Sequence, residues 1–420
     1  MINFSMAVAV IVIVISLSGC NIVPTNCGSS NEFAYVGTDG NVYKYNLCEK
    51  ESLQLTSDAD LTLSENAVLS GHYSLSDQAW SPQRNYILAG FHGLGNPVFL
   101  LNVNDGAKFS FGDLESANWS PTGAYLVLVR SGNRGDEGYD EDVYVFDMKS
   151  AKEIYHDPGR APFWFDDNSL MFLQAKQAGD IHNRVQELWR RDFADDGSGE
   201  TIPLSVKVES VNPPHMYANQ ISLSSDDRWA AVFVPGIVGM SEIRLFNFQT
   251  NQFLTEGALP LPDGTVVTRR WTTDSDFGWS PSGSVLAFCN GGGGADDAYN
   301  DLYGGALFLI NEGHLIPVTE SKCGRTKISW SPIGDRVAYL NNTGGISVVD
   351  HTGNLLFGSS EIEVRDSTNL KAQEGPWWSP DGTLISLVAD NKICLAPMND
   401  EILQLTFECI VDGSMMVWKP

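Results

Sequence analysis

Basic residues are scarce in this chain. Only 26 Lys and Arg stand against 52 Asp and Glu, which gives a formal net charge of −26. Binding to nucleic acid or to anionic lipid head groups needs a basic face that displaces counterions, so neither is an expected partner. Apolar residues still make up 43% of the sequence, and 11 Trp, 13 Tyr and 20 Phe can fill a large core. The chain is therefore expected to be globular.

The common catalytic and zinc-binding signatures are also missing from the sequence. There is no Gly-x-Ser-x-Gly elbow of a serine hydrolase. The seven His are scattered, without a His-x-x-x-His or Cys-x-x-Cys pair. The Gly-rich stretch over residues 291–294 is not followed by the Lys-Ser/Thr of a nucleotide loop. These absences favour a binding protein over an enzyme, and no cofactor is expected apart from a candidate calcium ion.

The first charged residue is Glu32, and Met6 to Leu17 form an apolar run. Such a run is shorter than the roughly 20 residues that span a bilayer and is typical of a signal-peptide core. It leads into Leu17-Ser18-Gly19-Cys20, which resembles the lipobox of bacterial lipoproteins. Unlike members of that family, the chain has no Lys or Arg at its start. The alternative is an uncleaved anchor or an ordinary secretory signal.

The lipobox resemblance implies a signal peptide over residues 1–19, lipid on the thiol of Cys20 and a tether over residues 20–30. Asn21 is not the Asp that retains lipoproteins at the inner membrane of enteric bacteria. The expected location is the bacterial cell envelope, on the periplasmic side of the outer membrane or at the cell surface, with the lipid as the only membrane contact.

An internal repeat dominates the remaining sequence. Five copies of a Trp-Ser-Pro pattern are each followed by an apolar stretch, and they begin at Trp80, Trp119, Trp279, Trp330 and Trp378. Degenerate copies lie at Trp164 and Leu223, and Trp418 begins a copy cut off by the end of the sequence. Successive copies are about 48 residues apart on average, which matches a four-stranded propeller blade. Trp ends a first strand, Ser-Pro sets up a turn, and Gly takes positive φ before an apolar second strand.

This pattern of Trp-Ser-Pro-Asp-Gly followed by apolar strands resembles the WD40-like repeat of the TolB propeller family over roughly residues 31–420. The resemblance implies a scaffold role in an envelope complex. Propellers of that family have six blades and a separate domain ahead of them, whereas this sequence has more repeats and is not expected to carry such a domain.

The two ends of the repeat region predict how the propeller closes. Residues 33–36, 41–45 and 53–56 look like second, third and fourth strands without a first strand ahead of them. The missing strand is predicted to be residues 415–418, which would leave no sheet edge open. The expected fold is all-β: an eight-bladed β-propeller over residues 31–420, closed by the C-terminal strand. Seven blades are the alternative if the stretch between Trp164 and Leu223 is not a full blade.

Six cysteines remain after the lipidated Cys20, an even number that suggests disulfides in an exported chain. Within a propeller, the sequential pairs fall on one face of the blades. The predicted bridges are Cys27–Cys48, Cys289–Cys323 and Cys394–Cys409. Buried free thiols are the alternative.

Two acidic loops are predicted to connect second and third strands. Their carboxylates are hard oxygen ligands at close spacing, the kind that Ca²⁺ takes. The alternative is a solvated acidic loop. The candidate calcium ligands are Asp136, Asp140, Asp142, Asp296, Asp297 and Asp301.

Long loops on the same face are where binding is expected, since loops on a rigid scaffold usually carry it. Rigid aromatic side chains there would suit a partner surface. The candidate partner-binding residues are Tyr139, Tyr217, Trp271, Tyr299 and Tyr303.

Two functions follow from these patterns. The first is a monomeric, non-catalytic propeller that binds an envelope protein or a cell-wall component. The second is a carbohydrate-active propeller enzyme, a polysaccharide lyase or glycoside hydrolase. It would need converging side chains near the axis, and the candidates are His182, Arg184, His215 and Arg269.

Overall fold

All regular structure in the described residues is β-strand. The computed structural model describes residues 31–61, 71–92, 97–132, 140–176, 185–194, 198–209, 220–235, 241–260, 266–270, 272–290, 306–311, 314–334, 336–364, 372–398 and 405–420. Over these ranges there is no helix that could cross a membrane.

The strands of the first half of the chain are β1 (Glu32–Gly37), β2 (Val42–Asn46), β3 (Glu51–Gln54), β4 (His72–Trp80), β5 (Tyr86–His92), β6 (Pro97–Asn102), β7 (Lys108–Asp113), β8 (Ser116–Trp119), β9 (Tyr125–Gly132), β10 (Asp140–Asp147), β11 (Lys152–Pro158), β12 (Arg160–Asp166), β13 (Ser169–Lys176), β14 (Val185–Phe193) and β15 (Gly199–Glu209).

The strands of the second half are β16 (Gln220–Leu223), β17 (Trp229–Pro235), β18 (Ser241–Asn247), β19 (Gln252–Leu254), β20 (Glu256–Pro260), β21 (Val266–Arg270), β22 (Thr272–Trp279), β23 (Val285–Asn290), β24 (Ala306–Asn311), β25 (His314–Trp330), β26 (Arg336–Asn341), β27 (Ile346–Asp350), β28 (Leu355–Gly358), β29 (Glu363–Val364), β30 (Ala372–Trp378), β31 (Leu384–Ala389), β32 (Lys392–Pro397) and β33 (Thr406–Trp418).

Consecutive strands pair antiparallel in runs of four. Strands β4 to β7, β8 to β11, β12 to β15 and β16 to β19 each make one run. Two long strands serve two runs each. The first part of β25 pairs with β24 and its second part with β26. Likewise, β33 pairs first with β32 and then with β1, which continues into β2 and β3.

The predicted pairing of the C-terminal strand, β33, with β1 is present. Trp418 lies opposite Phe33, and Val417 lies opposite Ala34. A sheet that begins near residue 32 thus receives its innermost strand from the other end of the chain. The strand order β33-β1-β2-β3 is the one that the repeat pattern predicts.

The Ser of the Trp-Ser-Pro motif holds the turn together. Ser120 is fully buried. Its hydroxyl accepts the N–H of Tyr125 at 3.0 Å, while its own N–H donates to the Tyr125 carbonyl at 2.9 Å. The equivalent hydroxyl bonds occur at Ser81, Ser224, Ser280 and Ser379.

The turn also needs one residue with positive φ. Gly123 takes it, at φ 73°, and Gly283 and Gly382 do the same. Where the motif lacks Gly, Arg84 (φ 66°) and Asp227 (φ 56°) adopt this conformation, which costs a residue with a Cβ more than it costs Gly. The predicted turn geometry is therefore kept in the degenerate copies.

The core lies between successive sheets. On β9, Leu126 and Leu128 pack towards the β4–β7 sheet, while Val127 and Val129 pack against β13 of the next sheet. All four are essentially inaccessible to solvent. Because both faces of this strand are covered, its apolar residues run consecutively, as the sequence predicts. One further cluster joins Phe33 and its neighbours on β1 to the β30–β33 sheet.

Two of the three predicted disulfides are present, Cys289–Cys323 and Cys394–Cys409. Cys394 and Cys409 lie directly opposite each other on the paired strands β32 and β33. Cys289 is on β23, and its partner Cys323 lies in the middle of β25, where the pairing changes from β24 to β26. Cys27 lies outside the described residues, so the Cys27–Cys48 bridge stays a prediction. Disulfides persist in oxidising compartments, and these two indicate an exported protein.

Candidate functional site

The motif-bearing first strands are linked to one another by their tryptophans. The indole N–H of Trp119 donates to the carbonyl of Ala79, the residue just before Trp80 in the neighbouring sheet. Other indoles repeat this bond from sheet to sheet. The remaining pairs are Trp80 to Val417 (3.1 Å), Trp164 to Asn118 (3.4 Å), Trp279 to Ser222 (3.1 Å), Trp330 to Gly278 (2.8 Å) and Trp378 to Ser329 (3.0 Å).

Two positions depart from this pattern. Trp418 donates to the hydroxyl of Ser386 at 2.9 Å, and that hydroxyl donates to the carbonyl of Trp377 at 3.1 Å. The serine thus relays the bond to the residue just before Trp378. At the other position Leu223 replaces Trp, and its side chain has no N–H to donate. These bonds fix the first strands relative to one another, and so they fix the walls of any cavity that these strands line.

A cavity of about 560 Å³ opens where five first strands come together, β4, β8, β12, β16 and β33. Its wall combines Trp and Pro side chains of the motif with neutral polar groups, including Gln78 and Asn118. A volume of this size is typical of a site for a small ligand or an inserted peptide.

A cleft of about 550 Å³ adjoins this cavity, and Gln78 and Asn118 line both. The cleft lies between the β4–β7 and β8–β11 sheets and reaches His92 at the end of β5. It therefore opens on the face where second strands end, the face on which the sequence places the long loops. Its lining combines apolar side chains with neutral polar groups, among them Ser74, Ser76, Ser116 and the amide of Gln78.

Several of these polar groups are not used by the fold. Within the described part of the chain, no hydrogen bond involves the side chains of Ser76, Gln78 or Ser116, and both Ser76 and Gln78 are exposed. Asn118, by contrast, donates to the Pro162 carbonyl at 3.3 Å and is held in place. Free hydroxyl and amide groups on a fixed wall can bind an uncharged polar ligand or a peptide backbone.

Lys327 is a largely enclosed cation that the repeat motif does not reveal. It lies three positions before Trp330 on β25, and its ammonium is 5.7 Å from the ring centroid of Trp377. Burial lowers the pKa of Lys327 to about 8, although the nearby Glu374 carboxylate acts in the opposite direction. In the sequence, the only sign of this buried cation is a single basic residue within a strand that is otherwise expected to be covered.

Trp377 has a buried indole N–H with no hydrogen-bond partner among the described residues. Its neighbour Glu374 accepts the N–H of Met415 at 2.9 Å. An enclosed cation and an unused donor thus lie close together beside β30. This arrangement favours contact with hydrogen-bond acceptors.

The predicted partner-binding aromatic residues all lie outside the described residues. The same holds for Cys20, for Asp136, Asp296, Asp297 and Asp301, and for His182, Arg184 and His215. Only the backbone is described for Asp140, on β10, and for Arg269, on β21. These assignments stay predictions.

Asp142 is the one candidate calcium ligand whose side chain is described. Its carboxylate lies 3.7 Å from Nε2 of His156. In the ranges given above, no group of three or more His, Cys, Asp or Glu side chains could hold a metal ion. The ring of His156 stacks on Tyr144 with centroids 4.3 Å apart, so Asp142 belongs to a surface cluster on the β8–β11 sheet.

No family model matches this sequence, and no curated protein is similar to it. Solved structures similar to the chain are TolB, WD40 and other propeller proteins. The dihydro-heme d1 dehydrogenase NirN, in complex with DHE, superposes with a TM-score of 0.55 at 12% identity, over 95% of this chain and 78% of that chain. The fold is a β-propeller.

Two other solved propellers superpose less closely. TolB from Acinetobacter baumannii has a TM-score of 0.33 at 14% identity, over 77% of each chain. The oligogalacturonate lyase from Vibrio parahaemolyticus has a TM-score of 0.41 at 11% identity, over 89% of this chain and 93% of that chain. At these identities the likeness concerns the fold and not the activity.

Proposed function

We propose that this protein is a lipid-anchored, eight-bladed propeller of the bacterial cell envelope that binds a protein or a cell-wall component without catalysing a reaction. The observation that carries the proposal is the cleft between the β4–β7 and β8–β11 sheets. Its unused hydroxyl and amide groups stand on a wall fixed by the tryptophan hydrogen bonds. Such groups on a fixed wall support a binding role for this cleft.

The blade count is supported by the way in which successive sheets meet. Each apolar cluster joins one sheet to the next, and one cluster joins the β30–β33 sheet to β1. The indole bond from Trp80 to Val417 likewise links the β4–β7 sheet to the C-terminal strand. Together with the eight repeat copies, these contacts favour eight blades over seven. An experimental density map with eight blades around one axis is the expected result.

Export is supported by the two disulfides, and the lipid anchor by the lipobox resemblance at residues 17–20. The proposed organisation is a signal peptide over 1–19, a tether over 20–30 and the propeller over 31–420. Mass spectrometry of the protein purified from membranes should find an N-terminal Cys20 that carries lipid. Cys20→Ala should abolish that mass and release the protein from the membrane fraction. A Cys20→Ala protein that stays in membranes would contradict the anchor.

The binding function is tested by a pulldown from solubilised envelopes with the tethered protein. Gln78→Trp should fill the cleft and remove a specifically bound protein or glycan strand, while Glu200→Trp, at an exposed site on β15, should not. Both variants must keep the circular dichroism spectrum of the parent protein. Equal recovery with both variants would contradict the cleft as the binding site. Turnover of a polysaccharide by the purified protein would instead support the enzyme alternative.

A further inference from the structure

The outer surface of the β4–β7 sheet carries an aromatic side chain that the fold leaves largely exposed. Phe109, on β7, has 58% of its surface accessible, and among the described residues it is the only aromatic side chain with such exposure. It is not an isolated apolar residue, because its ring meets that of Phe111 edge to face with centroids 5.0 Å apart. The ring of Phe111 in turn contacts Phe146 of the next sheet at 5.4 Å.

These rings form one wall of a groove of about 310 Å³ between the outer parts of two sheets. The groove is predominantly apolar. Its main lining side chains are Tyr86, Leu100, Phe109, Phe111, Phe146 and Met148. A cavity of this size has room for one or two side chains of a partner.

Strand β7 also offers free backbone groups next to the groove. It is the outermost strand of its sheet and pairs only with β6 over the described residues. Alternate residues of such an edge direct N–H and C=O groups away from the sheet, where another strand can pair with them. Arg130 already donates to the Phe111 carbonyl at 2.7 Å, and the Ser110 hydroxyl accepts the N–H of Gly112. The open stretch is therefore Lys108 to Ser110.

The same molecule shows an outer edge that has gained a strand. In the β30–β33 sheet, the short strand β29 pairs in parallel with the outer part of β33, at Glu363–Thr406 and Val364–Phe407. Outer edges of this propeller can thus accept an added extended segment. At β7 the described residues of the chain supply none.

Charge distinguishes between two candidate occupants of this edge, a second copy of this chain and a segment of another protein. The single charged residue that lines the groove is Lys108, whose ammonium contacts Asp58 and the hydroxyl of Tyr73 but keeps about a third of its surface exposed. A second copy of this chain would bring its own Lys108, a like charge, to β7, and each copy carries a formal net charge of −26, so the two copies would repel each other. A segment with an acidic residue beside Lys108 avoids the first of these penalties.

We propose that β7 binds an extended segment of a partner protein. The segment pairs with the backbone of Lys108 to Ser110, places an apolar side chain in the groove against Phe109, and sets an acidic residue beside Lys108. This is strand addition, in which backbone pairing provides affinity and the groove provides specificity. The surface lies on the outside of the propeller, apart from the cleft, so the proposal is independent of the function proposed above.

Two labelled peptides test the proposal with the intact protein, acetyl-Asp-Val-Phe-Val-Asp-amide and the same peptide with Lys in place of Asp. Fluorescence anisotropy should show binding of the acidic peptide and at least tenfold weaker binding of the basic one. Hydrogen exchange should slow at the amides of Lys108 and Ser110 when the acidic peptide binds. Phe109→Ser should weaken binding at least tenfold. Leu53→Ser, at a comparably exposed site on the outer strand β3, should leave it unchanged.

Other outcomes overturn the proposal. One is that neither peptide binds at millimolar concentration, and another is that Phe109→Ser and Leu53→Ser bind alike. A third is light scattering that finds a dimer which Phe109→Ser dissociates, since the groove would then be an interface between two copies of this chain. Lys108→Gln separates charge from packing, because it should remove the preference for the acidic peptide while the groove still accepts the apolar side chain.

Discussion

Trp418 and Phe33 lie directly opposite each other in the pairing of β33 with β1, and their rings meet edge to face with centroids 5.6 Å apart. They are separated by almost the whole length of the described chain. The contact joins β33, at the C-terminus, to β1. Trp418 is almost fully buried in the apolar cluster between these strands. It is the most direct point at which to test closure of the propeller.

Trp418→Ala is expected to reduce the free energy of unfolding by roughly 3–5 kcal/mol, because it removes a large buried side chain and the bond to Ser386. The change should also expose the C-terminal strand to limited proteolysis. Trp119→Ala is the matched control. It removes an equally buried tryptophan of an internal sheet, so it should cost similar stability in urea unfolding without early cleavage near residue 410. Early cleavage in both variants, or in neither, would contradict the role of Trp418 in closure.

Leu223→Trp should restore the missing indole bond between sheets. Leu223 stands where the other sheets have Trp, and it lines the cavity of about 560 Å³ between the five motif-bearing strands, so there is room for the larger side chain. The new N–H would face the carbonyl of Phe163, and urea unfolding should show a gain on the order of 1 kcal/mol. The control Leu188→Trp makes the same exchange at a buried position of the packed cluster around Phe163 that does not line the cavity, so it should cost roughly 1–3 kcal/mol. Similar losses for both variants would contradict the proposed bond.

Lys327→Met should stabilise the protein at neutral pH. Because burial holds the pKa of Lys327 at about 8, below its usual 10.5, the unfolded chain binds more protons than the folded chain between these two values. The charged lysine therefore destabilises the fold fully below pH 8, and this effect disappears as the pH rises towards 10.5. The variant should gain up to about 3 kcal/mol at pH 7 and almost nothing at pH 10.5.

The comparison for this prediction is Lys392→Met, at an exposed site on β32, which should change stability by less than about 0.5 kcal/mol at either pH. Thermal unfolding followed at several pH values measures both variants. A gain that does not depend on pH would mean that the ammonium of Lys327 is not the destabilising group.

The two disulfides should contribute unequally. Cys289–Cys323 closes a loop of 34 residues and Cys394–Cys409 a loop of 15. Each should contribute on the order of 3 kcal/mol, and the longer loop about 0.7 kcal/mol more. Replacing each pair with alanines and following urea unfolding measures the difference, with wild-type protein in reductant as the reference. If reductant leaves wild-type stability unchanged, the bridges do not stabilise the fold.

Much of the architecture could be predicted because each repeat encodes its own turn. The buried Ser hydroxyl and the positive φ at Gly123 depend on neighbours within six residues, so the sequence pattern reveals them. The cysteine pairs are also close in sequence, and the propeller topology limited which of them could meet. The dual role of β25 and β33, each pairing with two sheets, was not visible in the pattern of apolar residues.

For the candidate site, the sequence predicts only the face of the propeller on which it lies, and not the residues that form it. Long loops and aromatic side chains are predicted there, and those residues lie outside the described ranges. The cleft at Gln78 could not be predicted, because neutral Ser and Gln side chains carry no signal in a single sequence. Nor could Lys327 and Phe109, since a cation or an aromatic ring within a strand pattern is normally a surface or core residue.

The order of residues thus established the all-β class, the four-strand period and the pairing of the C-terminal strand with β1, because these depend on local turn chemistry and on the spacing of the repeat. Folding in three dimensions decided which groups remain unused. Three features depend on segments that are distant in sequence: whether the indole of Trp377 finds an acceptor, whether Lys327 is enclosed, and whether β7 keeps an open edge. The packing of neighbouring sheets decides which of these segments come together, and no short stretch of sequence specifies that packing.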